Sequence, residues 1–194
     1  MHIILGSQSP RRKEILEFFK LPFTVVSSDF DESTIAFDSS PEDFVETQAK
    51  EKALALQKKH PKDLIITADT TVYLHHKIFQ KPSSENEAFS FLQELSGKTH
   101  QVLTGVAVLY KETLVTEVAT TEVSLSTLSD KELWQYIRST EPLDKAGGYG
   151  IQGVGSLLVT KIHGCYYNVL GLPIQTLAKL LKTFGIDLWE YATY

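Results

Sequence analysis

Ile3-Ile4-Leu5-Gly6-Ser7-Gln8-Ser9-Pro10-Arg11-Arg12, residues 3–12, decides the architecture of the chain. An apolar run too short for a helix passes directly into a Ser-rich turn and a proline, which reads as a buried strand leading into a helix. Proline suits the first helical position, where its missing N–H would have no partner, and Ser9 suits the cap. Ile15, Leu16 and Phe19 give that helix an apolar face, and Leu21-Pro22 ends it. A strand feeding a helix in this way is the unit of α/β proteins, in which ligands gather at the carboxyl ends of strands.

Working outward, Phe23 to Ser27 alternates like a strand, and Asp29 to Ser40 reads as an acidic loop. Ser40-Pro41-Glu42-Asp43 opens a helix reaching about His60. Leu64 to Ala68 is a β-branched run fit for a central strand. Thr71–Leu74 and Ile78-Phe79 flank a hairpin tip at His75-His76-Lys77. Ser84-x-x-Glu87 and Ser129-x-x-Glu132 are capping boxes, opening helices that run to Gly97 and through Ile137. Between them, Val102–Tyr110 and Leu114–Leu125 form two long antiparallel strands joined at Lys111-Glu112. Tyr149–Ile162 holds a strand among glycines, and a last helix runs from Pro173 to Gly185. With no repeat and no linker, the expectation is one domain over residues 1–194: an α/β unit with a mixed sheet, creased into two lobes around a cleft.

With 194 residues, 42% hydrophobic and 22% charged, the chain has enough apolar material for one full core or two small lobes. A net charge of −5 repels polyanions, so nucleic acid is not expected as a partner. Cys165, the single cysteine, forms no internal disulfide and is expected as a small side chain in a strand. There is no basic leader and no run of about 20 apolar residues, so a cytoplasmic protein with no membrane partner is expected.

Four features carry chemistry. The first turn of a helix favours acids, yet here it holds Arg11, Arg12 and Lys13, with no acid until Glu14. Backbone N–H groups, the Ser7 and Ser9 hydroxyls and two guanidinium forks make a phosphate site. Asp69, in Ala68-Asp69-Thr70, stands where the apolar strand ends, fit to hold a divalent ion, to position a water or simply to cap the next turn. Lys52 shares a helical stripe with Val45, Ala49, Ala53 and Leu56 on the face that meets the protein body, where it either snorkels to the surface or reaches a buried anion, whereas Lys50, Lys58 and Lys59 point to water. Asp144 to Gly153 is a glycine-rich loop presenting Lys145 and Gln152; it is neither a Walker A loop nor a dinucleotide fingerprint. Lys81, just past the hairpin, reads by itself as a surface lysine.

Together these segments resemble the Maf family of nucleotide pyrophosphatases. Ser7-Gln8-Ser9-Pro10-Arg11-Arg12, Ala68-Asp69-Thr70, Gln80-Lys81-Pro82, Leu95-Ser96-Gly97-Lys98-Thr99-His100 and Glu141-Pro142-Leu143-Asp144-Lys145-Ala146-Gly147 follow the family's order over nearly the whole chain. The resemblance implies a Maf/Ham1-like, anticodon-binding-like α/β architecture. It also implies hydrolysis of a nucleoside triphosphate between the α and β phosphates with a divalent cation, Mg²⁺ or Mn²⁺. By motif, Asp69 would be the proton acceptor or water-positioning group, and Glu32 would sit beside the metal with it. Arg12, Lys52 and Lys81 would neutralise the triphosphate, and Ser7 and Ser9 would hold phosphate oxygens, with Arg11 and Lys145 as further binding residues. Gly148-Tyr149-Gly150-Ile151-Gln152-Gly153 resembles the branch acting on dTTP and UTP, which implies that Arg12, Thr70 and Gln152 select the base. The alternatives are 7-methyl-GTP or a modified pyrimidine triphosphate as substrate, or a non-catalytic nucleotide-binding regulator of septum formation. A homodimer is a family-level expectation.

Overall fold

The computed structural model describes residues 1–192. In chain order, β1 (Ile3–Leu5) leads into α1 (Pro10–Leu16), then β2 (Thr24–Val25) and a 3-10 turn at Glu32–Thr34. Next come α2 (Pro41–Gln57), β3 (Leu64–Leu74), β4 (Lys77–Phe79), α3 (Glu85–Leu95), β5 (Thr99–Tyr110), β6 (Thr113–Leu125) and α4 (Asp130–Ser139). After further 3-10 turns at Pro142–Asp144, Ala146–Gly148 and Gly153–Leu157 follow β7 (Val159–His163), α5 (Tyr166–Leu170) and α6 (Ile174–Lys182).

Local chemistry accounts for most boundaries. Ser129 and Glu132 close a reciprocal capping box on α4. On α3 only half of the box forms: Ser84 accepts from the Glu87 amide, while the Glu87 carboxylate turns back to Ser83. His75 and His76 both take positive φ, 49° and 65°, which builds the tight hairpin turn and leaves both rings exposed. Two expectations fail. Cys165 is not in a strand; it follows β7 as the N-cap residue of α5, a helix too short for its periodicity to be visible in the sequence. Nor does the strand that begins at Leu64 stop at Ala68: β3 continues through Asp69 and Thr70 to Leu74, because β5 pairs with it without a break from Ile65 to Tyr73.

The sheet has seven strands among the described residues, in the order β2-β1-β3-β5-β6-β7, with β4 also paired to β3. β1 runs parallel to β3 and reaches only Ile66, where the Gly6 amide donates to the Ile66 carbonyl. β4 returns antiparallel along the same edge, from Lys77 opposite Leu74 to Phe79 opposite Val72, where it ends. Residues 67–71 of β3 therefore have β5 on one edge and no strand on the other. Asp69 and Thr70 sit in the middle of that gap.

The two faces of the sheet are covered differently. α2 lies across one face, packing Ala49, Ala53 and Leu56 on Ile4, Ile65, Ala107 and Leu109. It comes close because Gly105, opposite Asp69, has no side chain: a Cβ there would lie 2.3 Å from the Val45 carbonyl oxygen. The other face carries two apolar clusters, which form the two lobes. One joins Leu16, Leu172, Leu177 and Leu181 to Ile66, Ala68 and Val106. The other joins Leu92, Leu95, Leu133 and Tyr149 to Val72, Val102 and Val123. The polar pair Thr70 and Thr104, register partners in β3 and β5, lies between them.

Two expected outcomes follow from this packing. Gly105→Ala forces a methyl group into the α2 backbone and should cost about 2 kcal/mol or more in urea unfolding; a loss near zero would show that α2 does not rest on that position. His100 is buried beside Tyr149, and burial pushes its pKa down to about 4. The folded chain keeps His100 neutral where the unfolded chain binds a proton, so stability falls as pH drops from about 6.5 to about 4. That loss is on the order of 3 kcal/mol. Urea titrations of wild type and His100→Gln across this range should show a shallower acid loss in the variant; parallel curves would refute the assignment.

Candidate functional site

The gap in the β3 edge collects the charged residues. α2 runs against β3, with Thr67 Oγ1 donating to the Ala49 carbonyl at 2.6 Å, and presents Lys52 on its buried stripe. Helical side chains lean towards the N-terminus, so Lys52 reaches along the sheet to Asp69. Its Nζ lies 2.6 Å from Asp69 Oδ1 and 2.8 Å from Glu32 Oε1. Lys52 is 5% exposed and Asp69 9%, so this ammonium–carboxylate contact is shielded from water, whereas Glu32 is half-exposed. Asp69 Oδ2 has no hydrogen-bond partner among the described residues.

Glu32 is brought in by two neighbours. Asp31 accepts from the Ser33 amide and shapes the 3-10 turn, and Gln48, buried on α2 one turn before Lys52, donates to the Glu32 carbonyl at 2.8 Å. Burial disfavours the Glu32 carboxylate, but Lys52, then Lys81 and Arg12, outweigh it and hold the group below the usual carboxylate range. Exposed Lys81 thus faces the same acid, although by itself it read as a surface lysine.

The N-terminal turn closes the other side. Its first turn has no acid, in keeping with the sequence, but both guanidinium groups are turned onto protein acceptors. Arg12 donates to Gly171 O at 2.7 Å, Ala68 O at 2.8 Å, Thr70 Oγ1 at 3.0 Å and, more weakly, Ser7 Oγ at 3.4 Å. Burial draws Arg12 below the usual guanidinium range, against the pull of Asp69 and Glu32, and so basic a group remains cationic. Arg11 pairs with Asp144 at 2.9 Å, and Lys145 holds the same carboxylate at 2.5 Å. Burial opposes ionisation of Asp144, yet Lys145 and Arg11 keep its carboxyl low. Ser7 is buried and accepts from the Ser9 amide at 3.1 Å. Ser9 stands at the N-cap of α1 without a capping bond, so its hydroxyl is uncommitted.

The structure therefore gathers Ser7, Arg12, Glu32, Lys52, Asp69, Thr70 and Lys81 around one gap. It attaches Arg11 and Lys145 to the rim through Asp144. Gln152 is not brought in: it is exposed, and its side chain makes no hydrogen bond among the described residues. Gln48, Thr104, Asp144 and Asn168 support the site and were not singled out in the sequence. For Gln48 a signal existed, since its spacing from Lys52 puts a second polar residue on the buried stripe.

The arrangement offers two carboxylates held by one ammonium, a carboxylate oxygen free to take a water, and two further cations, Arg12 and Lys81, facing the same cluster. Such a site suits a polyanion and a hydrolytic water. The chain is also similar to known proteins. The family model described as Maf-like protein matches residues 2–184. The dTTP/UTP pyrophosphatase of Clostridium perfringens (strain SM101 / Type A) is 46% identical over 191 residues, covering 97% of this chain and 100% of that one. The dTTP/UTP pyrophosphatase of Bacillus cereus (strain G9842) is 50% identical over 185 residues, covering 95% and 96%. Among solved structures, the Staphylococcus aureus Ham1 protein is similar at 13% identity and a TM-score of 0.45, over 65% of this chain and 72% of that one.

Removing Lys52 leaves Asp69 shielded from water without its cation. Lys52→Met should cost about 3 kcal/mol of stability at neutral pH in urea unfolding. An unchanged midpoint would mean that Asp69 is solvated well enough to do without the lysine.

Proposed function

Because the chain belongs to the Maf family, we propose that it is a nucleoside triphosphate pyrophosphatase that hydrolyses dTTP and UTP to the monophosphate and pyrophosphate. Its role is then to remove non-standard or excess nucleotides. The observation that carries this reading is the Lys52–Asp69–Glu32 cluster in the open edge of β3, faced by Arg12 and Lys81. The names of the relatives, both dTTP/UTP pyrophosphatases, support the same substrates.

In this reading the triphosphate lies along the gap with its charge met by Lys52, Lys81 and Arg12, while the Ser9 hydroxyl donates to a phosphate oxygen. Asp69 Oδ2 holds the attacking water and accepts its proton. The water oxygen forms a bond to the α-phosphorus as the bond from that phosphorus to the α–β bridging oxygen breaks. The bond's electron pair leaves on the bridging oxygen as part of pyrophosphate. Positive groups fixed around the phosphates stabilise the charge that develops, and they need no rearrangement to do so.

A divalent cation belongs to this reading. No group of three or more His, Cys, Asp or Glu side chains fit to hold an ion is found among the described residues. Two carboxylates already share one cation, the Lys52 ammonium. That donor set fits Mg²⁺ or Mn²⁺, which take one or two carboxylates and complete their shell with phosphate oxygens and water. Glu32 and Asp69 would hold the ion, and when bound it would polarise the phosphates as a Lewis acid. Ser7, Arg11, Lys145, Thr70 and Gln152 complete the proposed binding set by family motif. A cytoplasmic homodimer belongs to the same reading, supported by the family resemblance.

A panel of purified triphosphates with Mg²⁺ or Mn²⁺, scored separately for pyrophosphate and monophosphate, tests this function. Pyrophosphate release from dTTP and UTP is expected, lost on chelation and reduced about 100-fold or more by Asp69→Asn with the circular dichroism unchanged. Orthophosphate as the sole inorganic product would overturn the assignment of the cleaved bond.

A further inference from the structure

On the face of β3 opposite α2, a chain of hydrogen bonds has a direction that the residues themselves fix. Thr104 Oγ1, fully buried, lies 3.1 Å from the main-chain oxygen of Asn168 and 2.9 Å from Thr70 Oγ1. A carbonyl only accepts, so the single Thr104 proton goes to Asn168. The proton in the Thr70–Thr104 contact must then come from Thr70. Thr70 Oγ1 also accepts from Arg12 Nη2 at 3.0 Å. The carbonyl at the end of the chain cannot turn away: the Asn168 side chain is buried, donating to Val102 O and to Thr121 Oγ1, each at 2.9 Å.

A hydroxyl has one proton and two lone pairs, so Thr70 is left with one lone pair and nothing to donate. A guanidinium has five N–H groups, and the bonds to Gly171, Ala68, Ser7 and Thr70 leave Arg12 a single N–H on Nη2. Both residues are only partly buried. Space beside them is kept by Gly171, φ 102°, where a Cβ would lie 3.3 Å from both Arg12 Nε and Thr70 Oγ1. The pair thus shows a ligand one donor beside one acceptor, in fixed order.

We infer that Thr104, backed by the main-chain carbonyl of Asn168, locks Thr70 as an acceptor, so that Arg12 and Thr70 select a base with a lactam edge. The inference rests on the proposed pyrophosphatase reading together with the base contact that the family resemblance implies for these two residues, Arg12 meeting the base through its last N–H while its charge faces the phosphates. Uracil and thymine place a carbonyl oxygen beside a ring N–H, which matches the pair at both atoms. Cytosine in the same pose sets an amino group against the Arg12 N–H and a ring lone pair against the Thr70 lone pair. Thr104 is therefore a positioning residue that acts on specificity without touching the nucleotide.

The test is kcat/KM for UTP and CTP, measured as pyrophosphate release, in wild type, Thr104→Val, Thr104→Ser and Thr70→Val, each checked for folding by thermal denaturation. Thr104→Val removes the acceptor for the Thr70 proton, so the freed hydroxyl can turn and donate to cytosine. The UTP:CTP ratio should fall about tenfold, the upper range for the net worth of one hydrogen bond, chiefly through a rise for CTP. Thr104→Ser should keep the wild-type ratio. Thr70→Val, which neither accepts from uracil nor opposes cytosine, should lower the ratio as well and serves if Thr104→Val does not fold. An equal loss for both nucleotides, a Thr104→Ser ratio matching that of Thr104→Val, or a wild type without UTP preference would overturn the lock. Each of those results would leave the pyrophosphatase reading standing, because pyrophosphate would still be released. Absence of pyrophosphate from every triphosphate would overturn both.

Discussion

β3 is eleven residues long, and on one edge neither neighbouring strand reaches its middle. Everything chemical in the molecule depends on that interruption. Unpaired strand edges invite wrong partners and leave backbone groups without bonds. Here the gap is only residues 67–71, and the chain covers it with charge: Arg12 satisfies the Ala68 carbonyl, and Asp69 projects beside it. β1 stops where Gly6 turns the chain outward, which is why the serines and arginines of the N-terminal turn arrive at the same opening.

The other side of the opening is set by how closely α2 can approach. Helix backbone rests almost directly on sheet backbone at Gly105, and Thr67 ties the helix down one turn later. At that distance the Lys52 ammonium reaches Asp69 although it is nearly excluded from water. Such burial is costly for a charge unless its partners are close and well oriented. Asp69 and Glu32 meet that requirement, and the Gln48 bond to the Glu32 backbone keeps the second acid where it is needed.

Much of this was legible in the sequence. The strand-to-helix start, the α4 capping box, the hairpin at His75-His76 and the buried stripe of α2 follow from local rules, and the stripe put Lys52 on the inward face, though whether its ammonium snorkels out or meets an anion is set by Asp69. The end of β3 was misread because Asp69, a poor strand former, interrupts the apolar run, and long pairing with β5 overrides it. α5 escaped because one turn of helix has no visible period. The bonds of Arg12 to the main-chain carbonyls of Ala68 and Gly171 are invisible to residue-type reasoning, since any residue supplies a carbonyl. Glu32 entered through family resemblance, not through a pattern of its own, because its place is fixed by a Gln48 contact sixteen residues away in sequence. Gln152 likewise rests on resemblance, and its exposed side chain is not drawn to the gap.

Side chains alternate across a strand, so the adjacent pair Asp69 and Thr70 point to opposite faces of the sheet. Asp69 meets α2 and the lysine that α2 carries; Thr70 meets Thr104 and the two-lobed face. The two halves of the site are therefore packed by different parts of the chain and are joined by one peptide bond and by Arg12, which donates to Thr70 and offsets the charge of Glu32. Mutation can remodel the Thr70 side, lobe by lobe, without disturbing the ion cluster beneath it. A lineage built on this strand is free to exchange the bases it accepts while inheriting its phosphate chemistry unaltered.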